Sequence, residues 1–220
     1  MDRPGIAVLP REFYSRPALE VARDLLGHVL VRTLPDGTRL SGRIVEAEAY
    51  RQDDPASHSF RGRTRRTDVM FGRPGLLYVY FTYGMHFCMN VVAGHDGEGC
   101  AALLRAAEPL EGLDVMAERR GTVNPRLLCA GPGRLCQAFG VDRAQNGTDL
   151  VTGTELRIER GSPVPDHEVT AGPRVGVNVA MEQPWRFVVS GSLYLSRAAL
   201  HRASVRPRRP RVTSKDPPRR

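Results

Sequence analysis

The sequence predicts a single α+β domain in which an antiparallel sheet and a few helices occupy separate stretches of the chain. Three observations carry this. The 220 residues suit one compact domain, on the order of 100–200 residues being usual, and 41% of them are hydrophobic, enough for a core. Two pairs of apolar segments, at 28–50 and 76–92, each enclose a turn signal and read as hairpins. Segments with helical spacing fall outside those pairs, which keeps the helices apart from the sheet.

Residues 1–12 read as an arm. A helix opens at Ser15-Arg16-Pro17, shows Leu19, Ala22, Leu25 and Leu26 as its apolar stripe, and ends at Gly27. HVLVRT (28–33), the turn PDGT (35–38) and LSGRIVEAEAY (40–50) form the first hairpin. The arginine-rich loop 51–68 is long for an idle connection, so a functional or disordered segment is expected there. LLYVYFTYGMHFCMNVV (76–92) is the second hairpin, with Tyr83-Gly84 near its tip. CAALLRAAE (100–108) reads as a buried strand, and helices are expected at 110–120 and near 133–139. PRVGVN (173–178) and WRFVVSG (185–191) complete the sheet as late strands. The domain is expected to end at residue 202, followed over 203–220 by a basic, Pro/Arg-rich disordered tail.

The formal net charge is +8, and Lys215 is the only lysine among the 32 basic residues. Arginine's planar fork grips phosphate oxygens, although a genome-wide codon bias would enrich arginine equally. The charge excess favours a polyanionic partner without saying which. Cys88, Cys100, Cys129 and Cys136 form no C-x-x-C pair, which excludes a close-paired zinc or redox dithiol site and reads as four reduced structural thiols. The zinc-deaminase pattern is absent too. No apolar run approaches the roughly 18 residues of a membrane span, so a soluble, cytoplasmic protein is expected.

In the strand Ile44–Tyr50, alternation puts Val45, Ala47 and Ala49 on one face and Glu46, Glu48 and Tyr50 on the other. An ordinary solvated strand face would look the same. Two carboxylates at i, i+2 lie about 7 Å apart, inside the ~6.5–9.5 Å range of inverting glycosidases, so a sugar hydrolase stays open. Tyr78, Tyr80, Phe81, Tyr83 and Phe87 crowd the second hairpin, as a packed core or as stacking surfaces for bases. Tyr78 and Tyr80 share a face. Tyr83, at a tight tip beside glycine, is badly placed for a core and suited to act as a wedge between bases.

The strings GRIVEAEAY (42–50), ASHSFRGRT (56–64), MFGRPGLLYVYFTYGMHFCMNVV (70–92), LLRAAEPLEG (103–112), GPGRLCQAFG (131–140) and PRVGVN (173–178) are similar to the alkyladenine (3-methyladenine) DNA glycosylase family. The likeness runs from about Leu9 to Leu195 in family order. It implies one α+β domain with a curved antiparallel sheet, peripheral helices and a protruding hairpin that intercalates into DNA. It also implies roles: Glu48 as general base, with Arg105 and the backbone carbonyl of Val175 helping to hold the attacking water. Tyr50 and His58 sandwich the flipped base, Tyr80 completes the pocket, Asn90 obstructs the amino group of normal guanine, and Tyr83 fills the gap in the duplex. Glu46 receives no role. Two positions depart from the family pattern. Arg66-Thr67-Asp68 stands where an arginine–asparagine pair is usual, which puts backbone contacts there in doubt, and His86 replaces an aromatic residue after Met85.

The resulting expectation is a monofunctional enzyme of base excision repair that excises alkylated or deaminated purines from duplex DNA. It would need no cofactor, metal or obligate protein partner, and would work as a nucleoid-associated monomer. A carboxylate of ordinary pKa is already ionised near neutral pH and can serve as base. A backbone-cleaving Schiff base needs an amine, and the sole lysine sits in the expected tail. A non-catalytic module that binds damaged DNA remains the alternative from another class.

Overall fold

The computed structural model describes residues 7–197. Along the chain come helices α1 (Arg11–Tyr14) and α2 (Ala18–Asp24), then strands β1 (Val29–Thr33), β2 (Arg39–Tyr50), β3 (Leu77–Thr82), β4 (His86–Ala93) and β5 (Cys100–Glu111). Helices α3 (Leu113–Arg120), α4 (Pro125–Leu128) and α5 (Pro132–Phe139) follow, and strands β6 (Leu156–Glu159), β7 (Val169–Gly172) and β8 (Arg186–Val189) close the domain. The strands form one strongly curled antiparallel sheet in the order β3-β4-β5-β2-β1-β6, with β8 pairing both β2 and β7.

Strand β2 organises the sheet. One edge runs along β5; the other pairs first with β1, over Arg39–Arg43, and then with β8, over Glu46–Glu48. The change of partner coincides with register shifts between Ile44 and Ala47, a bulge that kinks the strand and resets which side chains face inward. The main core therefore takes Leu40 and Ile44 before the bulge and Ala47 and Ala49 after it, and Val45 is not part of that cluster. Strict alternation through Val45 was the wrong expectation for this stretch. The opposite side of the strand is not solvated, since Glu46 and Glu48 are both 0% exposed.

Helix α2 buries Ala18, Val21 and Ala22 against β2 and β5, and Leu25 and Leu26 continue the same face. Each such leucine contributes about 1.5–3 kcal/mol relative to exposure. Gly27, at φ +86°, turns the chain where a Cβ would strike the Ser162 carbonyl oxygen at 2.1 Å, so only glycine fits. Helix α5 starts on Pro132 and packs Leu135, Cys136, Ala138 and Phe139 against β4 and β5.

Several expectations need correcting. The arm is partly built into the fold: the Leu9 N–H bonds the Ile158 carbonyl at 2.9 Å, Leu9 is buried, and α1 follows at once. The segment 173–178 is not a strand, because Pro173 lacks an N–H for a ladder and Gly176 adopts φ +75°. The short β6, β7 and α4 carry too few residues for periodicity to reveal them. The loop 51–68 is ordered by turns that its own side chains close, including Ala56 N–H to Asp54 Oδ1 at 3.0 Å and Thr64 N–H to Thr67 Oγ1 at 2.9 Å. The expected tail lies outside the described residues.

Candidate active site

The curl of the sheet opens a cavity of about 280 Å³ between β2, the β3–β4 hairpin and the loops around His58 and Val175. Its size lies at the lower end of the roughly 300–1,000 Å³ usual for small-molecule sites. Tyr50, from the end of β2, and His58, from the long loop, both line it, as do Tyr80 from β3 and Asn90 from β4. Arg105, Val175 and Tyr83 line it as well, so seven of the eight expected site residues meet at one cavity. Tyr78 and Tyr80 stack at 5.6 Å and 28°, while His58 sets its edge on Tyr80 at 4.5 Å. His58 Nδ1 lies 3.1 Å from the Tyr78 hydroxyl, and burial lowers the histidine's pKa, so the ring is neutral near neutral pH. Asn90 Nδ2 donates to the Tyr78 carbonyl at 3.3 Å, which ties the amide to the cavity wall.

The eighth residue, Glu48, lies directly behind that wall. Its Oε2 accepts the Tyr50 hydroxyl at 2.9 Å; its Oε1 accepts the Val175 N–H at 2.8 Å and faces Arg105 Nη1 at 3.3 Å. Three cavity residues thus touch the carboxylate from the pocket side. Burial raises the pKa of Glu48, and Arg105, the Val175 N–H and Tyr50 offset this only in part. The ordinary carboxylate expected from sequence is therefore a more basic one. At Val175 the contact is the N–H with Glu48.

Glu46, one pleat back, has the opposite balance. Burial alone would raise it, but Arg105, Arg186 and Ser196 together hold it below the usual carboxylate range. Two carboxylates and two guanidiniums, all at most 6% exposed, make this cluster. Sequence reading missed Arg186 and Ser196, which lie in unremarkable strings about 140–150 residues from Glu46 and become visible only in the pairing of β8 with β2. It also missed Arg174 and Asp54. Their side chains are wholly buried and paired, Arg174 Nη1 also donates to the Ala49 carbonyl at 3.1 Å, and the guanidinium lies over the rings of Tyr50 (4.7 Å) and Trp185 (5.0 Å).

At the rim, Tyr83 is 80% exposed at φ +50°, projecting from the hairpin tip beside exposed Met85. A large aromatic in a left-handed turn is a strained placement, held here with little burial. Arg61, Arg63, Arg65 and Arg66 follow His58 in the long loop; Arg66 lies over the Tyr80 ring at 5.8 Å, and Asp68 pairs with Arg63 at 2.6 Å, so the departure at Asp68 holds one of these cations. His86 packs against Gly133, where a Cβ would come within 3.0 Å of its ring. The four cysteines are free thiols, and among the described residues no group of His, Cys, Asp or Glu could hold a metal. No helix among them is long and apolar enough to cross a membrane.

An aromatic cavity with a buried carboxylate behind it and an exposed tyrosine at its rim suits the DNA glycosylase class, enzymes that act on single bases of a duplex. The comparisons with known proteins agree. Residues 12–193 match the family model described as methylpurine-DNA glycosylase. A relative from Carboxydothermus hydrogenoformans is 47% identical over 86% of this chain and 99% of its own, and one from Streptomyces avermitilis is 48% identical over 90% and 95%. Both carry the name of a 3-methyladenine DNA glycosylase. The chain belongs to the methylpurine-DNA glycosylase family.

Proposed function

We propose that this chain is a monofunctional glycosylase that flips alkylated or deaminated purines out of duplex DNA and hydrolyses the N-glycosidic bond, with Glu48 as general base. The observation that carries the reading is the placement of Glu48: one buried, unusually basic carboxylate touching three residues of an aromatic cavity.

Extrusion of a base costs a few kcal/mol of stacking and pairing. Tyr83 fills the vacated space, and Tyr50, His58 and Tyr80 hold the extruded purine, gaining roughly 1–3 kcal/mol per stack. A cationic alkylated purine gains a further ~0.5–2 kcal/mol over the rings and leaves readily. Asn90, fixed to the Tyr78 carbonyl, obstructs the exocyclic amino group of guanine. As the bond breaks, ionised Glu48 stabilises the developing positive charge on the sugar and takes a proton from the attacking water, which Arg105 and the Val175 backbone help to hold. Water then delivers hydroxide to C1′ and the base departs with the bonding pair.

The single lysine, Lys215, supports hydrolysis without strand cleavage, since residues 7–197 contain no side-chain amine for a Schiff base. On this proposal the protein works as a monomer in the cytoplasm on the nucleoid, with a catalytic domain over 1–202 and a basic tail over 203–220 that adds phosphate contacts. The test uses duplexes carrying hypoxanthine, ethenoadenine or 3-methyladenine, scored for alkali-labile sites. The native protein should release base, and Glu48→Gln should bind the same duplexes and release none. Strand breaks before alkali would refute the monofunctional step. Base release by Glu48→Gln at the native rate would refute Glu48 as the general base, and binding without any base release by the native protein would reduce it to a damage-binding module.

A further inference from the structure

Arg105 serves two carboxylates, and serves them unequally. Its Nε donates to Glu46 Oε1 at 2.8 Å and its Nη2 to Ser196 Oγ at 3.4 Å, while Nη1 stands 3.3 Å from Glu48 Oε1. A guanidinium facing a lone carboxylate would take a two-pronged grip with parallel N–H···O bonds. That grip is broken here, because the Nε edge is committed to Glu46 and Glu48 receives one long contact.

Glu46 is itself held from several sides. Arg186 Nε donates to its Oε1 at 2.8 Å, the Ser196 hydroxyl donates to the same oxygen at 2.8 Å, and the Ser196 N–H donates to Oε2 at 2.7 Å. The Ser196 hydroxyl therefore receives from Arg105 and gives to Glu46, which satisfies one O–H and one lone pair. Both carboxylates are 0% exposed, so solvent screens these charges little. Ser196 follows β8 and lies beyond residue 193, where the family match ends.

We propose that Glu46 and Ser196 are positioning residues for base release: they hold the Arg105 guanidinium off Glu48, leaving that carboxylate an acceptor lone pair for the attacking water. The proposal rests on the reading of Glu48 as the general base. Without Glu46, Arg105 swings onto Glu48, and the nearby negative charge that also favours Glu48's protonated form is gone. Both changes make Glu48 a weaker base that stays ionised to lower pH.

The test is a single-turnover pH–rate profile on a duplex carrying 7-methylguanine. Its cationic base leaves without protonation, so the acid limb reports the general base alone. For Glu46→Gln the acid limb should move about one pH unit or more downward, and the plateau rate should fall about three- to thirtyfold. Binding to the same duplex should hold within about twofold, because the stacking residues are untouched. Ser196→Ala frees Arg105 Nη2 without removing a charge, and should shift the limb the same way by less. If Glu46→Gln does not fold, Ser196→Ala decides alone. A merely structural role lowers the melting temperature and leaves the limb in place, and that result overturns the proposal. Glu48→Gln run in parallel separates the two readings. If it is inactive while the limb stays put, only the positioning role fails; if it is active, the reading of Glu48 falls and takes this one with it.

Discussion

Removing Arg174 should unfold the site's support rather than its chemistry. The side chain is 0% exposed, and so is that of its partner Asp54, which it meets through both terminal nitrogens. Arg174→Met keeps much of the volume but strands a buried carboxylate, and losing one partner of such a pair costs about 3–5 kcal/mol. Loss of the stacking on Tyr50 and Trp185 adds about 0.5–2 kcal/mol. For a domain of this size the melting temperature should drop by roughly 7–28 °C. Asp54→Asn in the same protein removes the stranded charge, so the double variant should recover about 2 kcal/mol or more of the loss. Thermal unfolding followed by circular dichroism, with the four-member cycle at one pH, gives both numbers. Single variants within about 1 kcal/mol of the parent, or a double whose losses simply add, would refute the claim that this pair is coupled and buried.

Tyr83→Ala should weaken binding to lesion duplexes by about 1–3 kcal/mol, roughly five- to 150-fold, without lowering the melting temperature, since the ring is exposed and its turn strained; electrophoretic mobility titrations with calorimetry would show it. Acidification should destabilise the fold. His28 Nδ1 accepts the Gly161 N–H at 3.0 Å, and burial lowers the pKa of His28 and of His58 from 6.5. Their contribution is complete above about pH 6.5 and is lost as pH falls, because the unfolded chain takes up the protons first. Urea midpoints that stay constant from pH 7 down to about pH 5.5 would contradict this. Gly161→Ala should cost several kcal/mol, because the added Cβ would sit 2.0 Å from the Gly27 carbonyl oxygen, and the melting temperature reads it. Thiol reagents should label the native protein slowly: Cys88, Cys129 and Cys136 are buried, and burial pushes Cys129 up to about 12, so labelling counts should rise on unfolding.

The sheet was legible where local rules decide it. Both hairpins, the buried β5 and the helices at α2, α3 and α5 follow from turn signals and periodicity. The bulge at Ile44–Ala47 was not, since it arises from β2 changing partner between β1 and β8, a long-range event that no window of alternation contains. The stretch around Val175 misled for a related reason: its apolar residues serve a cavity wall and not a ladder. Of the site, the aromatic residues and Glu48 came from family resemblance, because an acidic strand face on its own reads as solvated. The groups that make burial of Glu46 tolerable, the Arg186 cation and the Ser196 hydroxyl and N–H, carry no local signature. Only folding brings them near.

The closing of β8 onto β2 also bears on when the enzyme comes into being during synthesis. Glu46 waits for a bond with a residue 150 positions further along the chain, and Glu48 for one 127 positions away. A ribosome that has delivered the first hairpins has therefore made a nascent chain in which both acids still lack these partners. Both acids have these partners only once Ser196 has emerged. If Glu48 is the general base, polypeptides ended before residue 196 should release no base, and an excision assay on such truncated chains checks this.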